Sequence, residues 1–391
     1  MNLEQIDFLI QPVIQELLAT LKITDQNHLQ VASKLGKDWS QEQVHALIET
    51  AILRQRAQRK FSRASAMLFT RSALEQASGE SVSTYRAQRF QAAGLTQVAD
   101  LCCSIGGDAI PLAAHMGVTG IDLDPVRLKI ASYNIEVYDR AAHFIPLEAN
   151  LEELKPIEQT DAFFFDPARR TDLGKRIYHL AEYRPPVTLI NRWLPVVPTG
   201  GVKISPGVDY EELPPAETAT VEFISVRGEV REAVLWYGAL RGESERTATL
   251  LPNGDKLHSQ PELPDAQVTP PKAWLYEPDG AVIRAHLIKE LAVKLNGTQI
   301  DSSIALLTTE SLELTPFARA FQIIGFFPFQ LKRLRRYVRE QNIGRVIVKK
   351  RGSPIDPQWL EKQLKAKGDN EAILFLTQVS GEPTVIVCQQ A

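Results

Sequence analysis

Two short stretches of this chain carry side chains placed to handle a ligand. In the first, an apolar run from Gln97 to Leu101 carries Asp100 and meets small residues, Cys102, Cys103 and Ser104, before the Gly106 and Gly107 pair; a second apolar run then closes on Asp122. Small residues let a backbone approach a ligand closely, and a following helix offers unpaired N–H groups. An acidic side chain ending the next strand can accept both hydroxyls of a ribose, so the chemistry expected is the binding of a nucleotide-like molecule. The second stretch, Asp161 to Arg170 (DAFFFDPARR), is an apolar strand ending in Asp166, Pro167, Ala168 and Arg169. Ligands of open α/β sheets bind outside the carboxyl ends of the strands, which would bring both stretches to one cleft.

The elements that must position these groups follow from pattern. Residues 1–90 carry apolar residues at helical spacing (Phe8, Leu9, Val13, Leu17, Leu21) and few β-branched runs, which predicts a helical domain. Within it, Arg54, Arg56, Arg59, Lys60, Arg63 and Arg71 occur without an intervening acid, with Phe61 and Phe69 among them. Such a run suits a solvated helix face or a phosphate-tracking surface equally. From Ser81 a β-α alternation begins, with strands expected at 98–103, 118–122, 143–148, 162–166 and 200–205. Asp124 and Pro125 supply an N-cap and a first-turn proline for a helix reaching Tyr138. Two further strands, 220–227 and 231–236, flank the turn at Gly228 and Glu229, so the sheet of the 91–250 domain should end antiparallel.

Prolines at 252, 261, 264, 270, 271 and 278 mark 251–283 as a linker. The 284–391 domain opens with a helix from Arg284 to Asn296. It continues as a strand at 318–327, a helix from Pro328 to Gln341, a strand at 345–350, a helix from Asp356 to Gly368, and strands at 372–378 and 384–388. On the Pro328 helix, Lys332, Arg335, Arg336 and Arg339 fall on one stripe, while Leu331, Leu334 and Val338 fall on the inward one. Lys349, Lys350 and Arg351 end the next strand, and Glu340 is the only acid between Leu331 and Arg351. That is a concentrated positive surface on a chain of net charge −3, suited to nucleic-acid phosphates.

With 391 residues, 44% of them hydrophobic and 23% charged, the chain has an ordinary globular composition and room for two or three domains. Three cysteines give neither a disulfide framework nor metal-ligand spacing, which points to a reducing cytoplasm and to no metal. The start, MNLEQIDFLI, lacks the basic-then-apolar pattern of an export signal, and no run long enough to span a membrane occurs.

Glu75-Gln76-Ala77-Ser78 with Tyr85 and Arg86, then Asp166 to Arg170, Lys203 to Asp209 and Lys349 to Gly352 stand in a fixed order along the chain. In these segments the chain resembles the bacterial family of class I S-adenosylmethionine-dependent methyltransferases that end in a THUMP-like domain. The glycine loop departs from the pattern, since Cys102 and Ser104 stand where methyltransferases alternate glycines. The resemblance implies a Rossmann-like α/β sheet, S-adenosylmethionine as methyl donor and, through the THUMP-like part, a structured RNA partner. It also implies roles. Asp100, Ser104, Gly106, Gly107 and Asp122 would hold the donor, with Glu148 or Asn150 at its adenine amine. Asp166, Pro167 and Arg169 resemble the turn by which amino-group methyltransferases receive their acceptor, with Arg169 in place of a stacking aromatic. Lys203 and Ser205 would face the same cleft, and Lys332, Arg335, Arg336, Arg339, Lys349, Lys350 and Arg351 would meet RNA. No cysteine is placed to attack a pyrimidine carbon, which favours a nitrogen or oxygen acceptor. A protein or small-molecule acceptor, and a non-catalytic RNA-binding role on the same fold, stay open at this point.

Overall fold

A computed structural model describes residues 1–24, 26–169 and 179–390. The amino-terminal helices start where side chains satisfy their first N–H groups. Asn2 and Ser40 each accept from the backbone of Gln5 and Gln43, whose side chains return the bond. Helices α1 (Leu3–Leu9), α2 (Pro12–Thr20), α3 (His28–Leu35), α4 (Gln41–Ala57), α5 (Arg71–Gln76) and α6 (Glu80–Ala92) result. Pro12 restarts the helix, so the inward face of α2 is Ile14 and Leu18, whereas Val13, expected inward, is 61% exposed. The basic run divides: Arg56, Arg59 and Arg71 are exposed, whereas Arg54 and Lys60 are internal ties and Arg63 an exposed one. Arg54 is buried with its guanidinium on the carbonyls of Met67 and Ala66, and the Lys60 ammonium donates to the carbonyls of Leu74 and Ala77. Arg63 donates to the Val137 carbonyl and Asp139, and Phe61 and Phe69 lie in the core.

The alternation that follows gives β1 (Gln97–Leu101), α7 (Ala109–Leu112), β2 (Gly117–Asp122), α8 (Pro125–Val137), β3 (Phe144–Glu148), β4 (Ala162–Phe165), α9 (Ile190–Trp193), β5 (Gly200–Ile204), β6 (Thr220–Val226) and β7 (Glu229–Tyr237). Asp124 caps α8 as expected, accepting from Val126 and Arg127 N–H. Strands lie in the order β3-β2-β1-β4-β5-β7; the first five are parallel and β7 runs antiparallel to β5. In register, Leu101 sits beside both Ile121 and Phe165, and Phe165 beside Val202, so the carboxyl ends of β1, β2, β4 and β5 are level. Phe163, Phe164, Phe165, Phe90, Trp193 and Trp236 fill the surrounding core, each worth on the order of 2–3 kcal/mol of burial. Gly200 is required there, because a Cβ would stand 2.6 Å from the Phe163 ring.

Two compact units emerge, Met1–Val221 with Glu232–Glu243, and Glu222–Arg231 with Ser244–Ala391. The chain therefore passes between them inside the β6–β7 hairpin and again at 243. The expected linker is a correction. Residues 251–283 contain β9 (Asp255–His258), which pairs with β8 (Arg246–Leu251), then β10 (Trp274–Pro278) and α10 (Gly280–Arg284). Prolines flank these elements and so hid them. The rest of the second unit comprises α11 (Ile288–Leu295), β11 (Thr298–Asp301), β12 (Ile304–Thr309), β13 (Ala318–Pro328), α12 (Leu331–Glu340), β14 (Ile343–Lys350), α13 (Pro357–Leu364), β15 (Asn370–Val379) and β16 (Glu382–Gln390). Its sheet runs β11-β12-β10-β13-β16-β15-β14. The helix expected over 284–296 is divided by the left-handed His286 and stopped by the left-handed Asn296; α13 stops at left-handed Lys365, before Gly368. Leu334, Val338, Leu360 and Leu364 pack α12 and α13 onto one sheet face through Leu374, Leu376, Val385 and Val387. Among the described residues no helix is long and apolar enough to cross a membrane.

Candidate active site

Asp100, next to last in β1, is 1% exposed. Beyond it the loop alternates left-handed residues: Cys102 at φ 66°, Ser104 at φ 50° and Gly106 at φ 83°. A side chain in that region costs roughly 1–2 kcal/mol. Cys102 and Ser104 thus keep the backbone shape glycine would adopt freely, and the departure from the glycine pattern leaves the loop's form intact. Its neighbours hold it there. Ser104 N–H donates to Asp122 Oδ2 at 2.9 Å, and Asp124 N–H to the other oxygen at 3.0 Å. Asn134, fully buried on α8, donates to the Ile105 carbonyl at 3.0 Å and bonds both backbone groups of Leu68. Burial pushes the Asp122 carboxyl up, although the Asp124 N–H, Arg127 and the Ser104 N–H draw it back.

Asp100 is the anomaly of this cradle. Its Oδ2 is buried with no hydrogen-bond partner among the described residues. Burial, then the charges of Asp108 and Asp166, hold its carboxyl well above the usual range, against the pull of Arg86. An unmade bond at a buried polar atom costs about 1–3 kcal/mol, so this oxygen marks where a ligand donor would be welcomed.

The DAFFFDPARR segment delivers Asp166 to the same end of the sheet, its N–H donating to the Leu101 carbonyl at 3.2 Å. Pro167 is buried, and Ala168 exchanges two backbone bonds with Arg184, which fixes the turn. Lys203, from β5, is 2% exposed; its ammonium reaches Asp166 Oδ2 at 2.6 Å and Ser78 Oγ at 2.9 Å. Lys203 therefore serves Asp166 rather than facing open cleft, a change from the substrate contact expected of it. Ser205 is likewise turned to structure. Its N–H donates to the Tyr183 hydroxyl at 3.0 Å, and its Oγ accepts from Gly207 at 3.1 Å. Arg169, expected to meet the acceptor by stacking on a base or gripping a phosphate, or else to close the turn, donates to the Ile204 carbonyl at 3.0 Å and ties the turn to β5. Arg170 lies outside the described residues.

Behind both stretches sits an ionic knot. Arg86 on α6 is 1% exposed, its guanidinium bonded to Asp108 and Glu232 and lying 4.8 Å over the Phe164 ring. Burial works against its charge, yet the two carboxylates hold it more firmly cationic than usual. Asp108 is raised by burial, with Arg86 as the main opposing pull. Three of the segments singled out in sequence thus meet in one bonded cluster, Ser78 from the first, Asp166 from the second and Lys203 from the third, while Arg86, also from the first, holds Asp108, which Lys203 and Asp166 influence electrostatically. Sequence reasoning missed Ser78 and Arg86 as individuals, and missed Leu123, 66% exposed immediately after Asp122. Glu148 is exposed and lies beside Asp122 in register, whereas the Asn150 amide is engaged locally by Glu152 N–H at 3.0 Å and Glu153 at 2.9 Å. Gly107 is buried in an ordinary backbone conformation, its position facing Ala77 and Phe61.

In the second unit the expected basic surface divides. Lys332, Arg336 and Arg339 project from α12 as expected, joined by Arg333, which lies 4.6 Å over the Phe327 ring. Lys350 is also exposed. Arg335 is held by Gln363 at 2.8 and 2.7 Å, and both Lys349 and Arg351 are paired to the buried Glu277. Those three are structural ties in this fold.

The THUMP domain-like family model matches residues 318–390. An uncharacterised S-adenosylmethionine-dependent methyltransferase of Mycobacterium tuberculosis, from strains CDC 1551 and H37Rv, is 34% identical over 362 residues, spanning 88% of this chain and 96% of its own. A crystal structure of a protein from Porphyromonas gingivalis W83 assigned as a methyltransferase, 20% identical, superposes with a TM-score of 0.77 over 95% of this chain and 100% of that one, which shows the shared fold. With an orphaned buried acid at the end of β1, a glycine-like loop following it and that relative matched over 96% of its length, the chain belongs to the S-adenosylmethionine-dependent methyltransferases, takes S-adenosylmethionine as its cofactor and carries a THUMP-like domain.

Proposed function

We propose that the enzyme methylates a nitrogen of a structured RNA in the cytoplasm, receiving the target amine at Asp166 and Pro167 and carrying phosphates on α12. The observation that carries the RNA reading is the THUMP domain-like match over a segment whose one cationic helix turns Lys332, Arg333, Arg336 and Arg339 to solvent. Phosphate contacts of that kind position a nucleic acid without reading its sequence.

S-adenosylmethionine supplies an electrophilic methyl on a sulfonium. The residues present fit it. The open oxygen of Asp100 suits an ammonium group, and each Asp122 oxygen, accepting one N–H, keeps a lone pair for a ribose hydroxyl. Leu123 offers an apolar surface to a base, Glu148 an acceptor for its amine, and the backbone of Ser104, Gly106 and Gly107 a close lining. On the acceptor side, the Asp166 oxygen not held by Lys203 and the Pro167 carbonyl would take two N–H groups, which aims the nitrogen lone pair. Alignment is most of what such a displacement needs from a protein. The cysteines do not suit attack on a pyrimidine carbon. Burial raises the thiols of Cys102 and Cys103, and that of Cys388, in the second unit, is pushed up to about 12.

Comparing modified nucleosides by mass spectrometry in cells with and without the protein should reveal one methylated base lost. Replacing Lys332, Arg336 and Arg339 together by glutamate should weaken binding to structured RNA and lower its log–log salt slope by about 2–3, at roughly 0.9 per phosphate contact, with cofactor binding unchanged. Unchanged RNA affinity would refute the role given to α12.

A further inference from the structure

We infer that Lys203 is a positioning residue: its ammonium grips one oxygen of Asp166 so that the other is presented to the acceptor, and Ser78 fixes Lys203 in turn. The inference rests on the reading of Asp166 as the group that receives the acceptor amine. Lys203 lies on β5 opposite Val234 with a side chain 3% exposed, so it cannot itself reach a substrate in the cleft. A lysine sealed from water loses several kcal/mol of solvation, and its charge persists only where a carboxylate and further acceptors replace the water. Asp166 and Ser78 are those partners, at 2.6 and 2.9 Å.

The arrangement is one-sided in a telling way. Asp166 keeps 22% of its side chain exposed, and its second oxygen accepts nothing from the described residues. A carboxylate held at one oxygen cannot swing, so the free oxygen has one direction. The groups around it make the cation necessary. Asp100 on β1 and Asp108 beyond it are acids within electrostatic reach of Asp166, as is the Tyr183 hydroxyl; Arg169 donates to the Ile204 carbonyl, and Arg86 is engaged with Asp108, which leaves Lys203 as the cation bonded to Asp166 among the described residues. Ser78 is also not a casual partner. It sits between α5 and α6 in a segment that Lys60 pins through the carbonyls of Leu74 and Ala77. The amino-terminal helices are thereby wired to the acceptor turn through a hydroxyl and an ammonium.

The test uses the full-length enzyme, S-adenosylmethionine with a labelled methyl, and total RNA from cells lacking the protein. It also follows the carbon-13 carboxyl titration of Asp166 in the complex with S-adenosylhomocysteine. Lys203→Met should lower methyl transfer roughly 100-fold at neutral pH, as misplacement of a reacting group does, with affinity for S-adenosylhomocysteine unchanged. The acid limb of the rate and the Asp166 titration should both move up by about one pH unit or more, since the opposite charge is gone. Lys203→Arg should restore part of the rate. Ser78→Ala should shift the same two readouts in the same direction by less, and it carries the test should Lys203→Met fail to fold. An acid limb and an Asp166 titration left where they are in the wild type would overturn the inference, whatever the rate. If the wild type methylates no RNA but the titration moves as stated, the positioning role stands and the RNA reading falls.

Discussion

Replacing Arg86 by methionine should be among the most costly single changes in this protein, and its cost should depend on pH. Arg86 is 1% exposed and is the shared partner of Asp108 and Glu232, both buried. Methionine fills most of the volume and keeps contact with the Phe164 ring, so packing loss is small and the electrostatic effect dominates. Removing one partner from a buried ion cluster costs about 3–5 kcal/mol, because the remaining charges stay buried without compensation. The sign follows from Asp108. Burial raises its folded pKa above the unfolded one even with Arg86 opposing; without Arg86 it rises further. A raised carboxyl contributes stability that is full below its unfolded pKa and lost as pH rises through the folded one. The variant's deficit should therefore be largest near pH 8 and shrink toward pH 5, as Asp108 takes up a proton. Urea unfolding at the two pH values, followed by tryptophan fluorescence to which buried Trp193 and Trp236 contribute, measures it. A deficit below about 1 kcal/mol, or one equal at both pH values, would refute the assignment of this knot as the electrostatic keystone of the first unit.

Asp100→Asn should raise the melting temperature, since it removes a buried ionisable carboxyl set against the charges of Asp108 and Asp166, while weakening S-adenosylmethionine binding by about tenfold or more, the worth of one charge-assisted hydrogen bond; thermal melts and calorimetry must move in opposite directions. Gly106→Ala should destabilise by about 1–2 kcal/mol, read by urea unfolding, because φ is +83° while the added methyl meets Ala131 only at an ordinary 3.5 Å. Glu277→Gln should lower the stability of the second unit in chemical denaturation by freeing Lys349 and Arg351, yet leave RNA affinity at its wild-type value; a loss of RNA binding would return those two residues to the interface.

Much of the first unit's sheet could be read from the chain because each of its signals is local. Asp124 followed by Pro125, apolar runs ending in acids, and the turn at Gly228 each specify an element within a few residues. The partners of Lys203 and Arg86 were not legible, since Ser78, Asp166, Asp108 and Glu232 come from distant segments and the lysine pattern alone suits a cleft contact as well. In the glycine loop, the small size of Cys102 and Ser104 is legible, but the left-handed shape they adopt is not, because Asp122 and Asn134 hold it from outside. Strands β9 and β10 are hard to see in the sequence, because prolines at their boundaries break the apolar pattern around them. In the basic stripe, sequence gave spacing but not counter-ions, and Glu277 lies far upstream of the cations it claims.

The exchange of strands between units at the β6–β7 hairpin has a practical corollary. Residues 222–231 belong to the second unit and 232–243 to the first, so the chain passes between the units more than once. No single scissor cut yields either one whole. A fragment stopping at 243 would carry a stray hairpin tip away from the body that completes it, and one beginning at 244 would lack that tip. A fragment library or a domain-swap chimera built on this enzyme must therefore move the hairpin as a separate piece, or keep the chain entire.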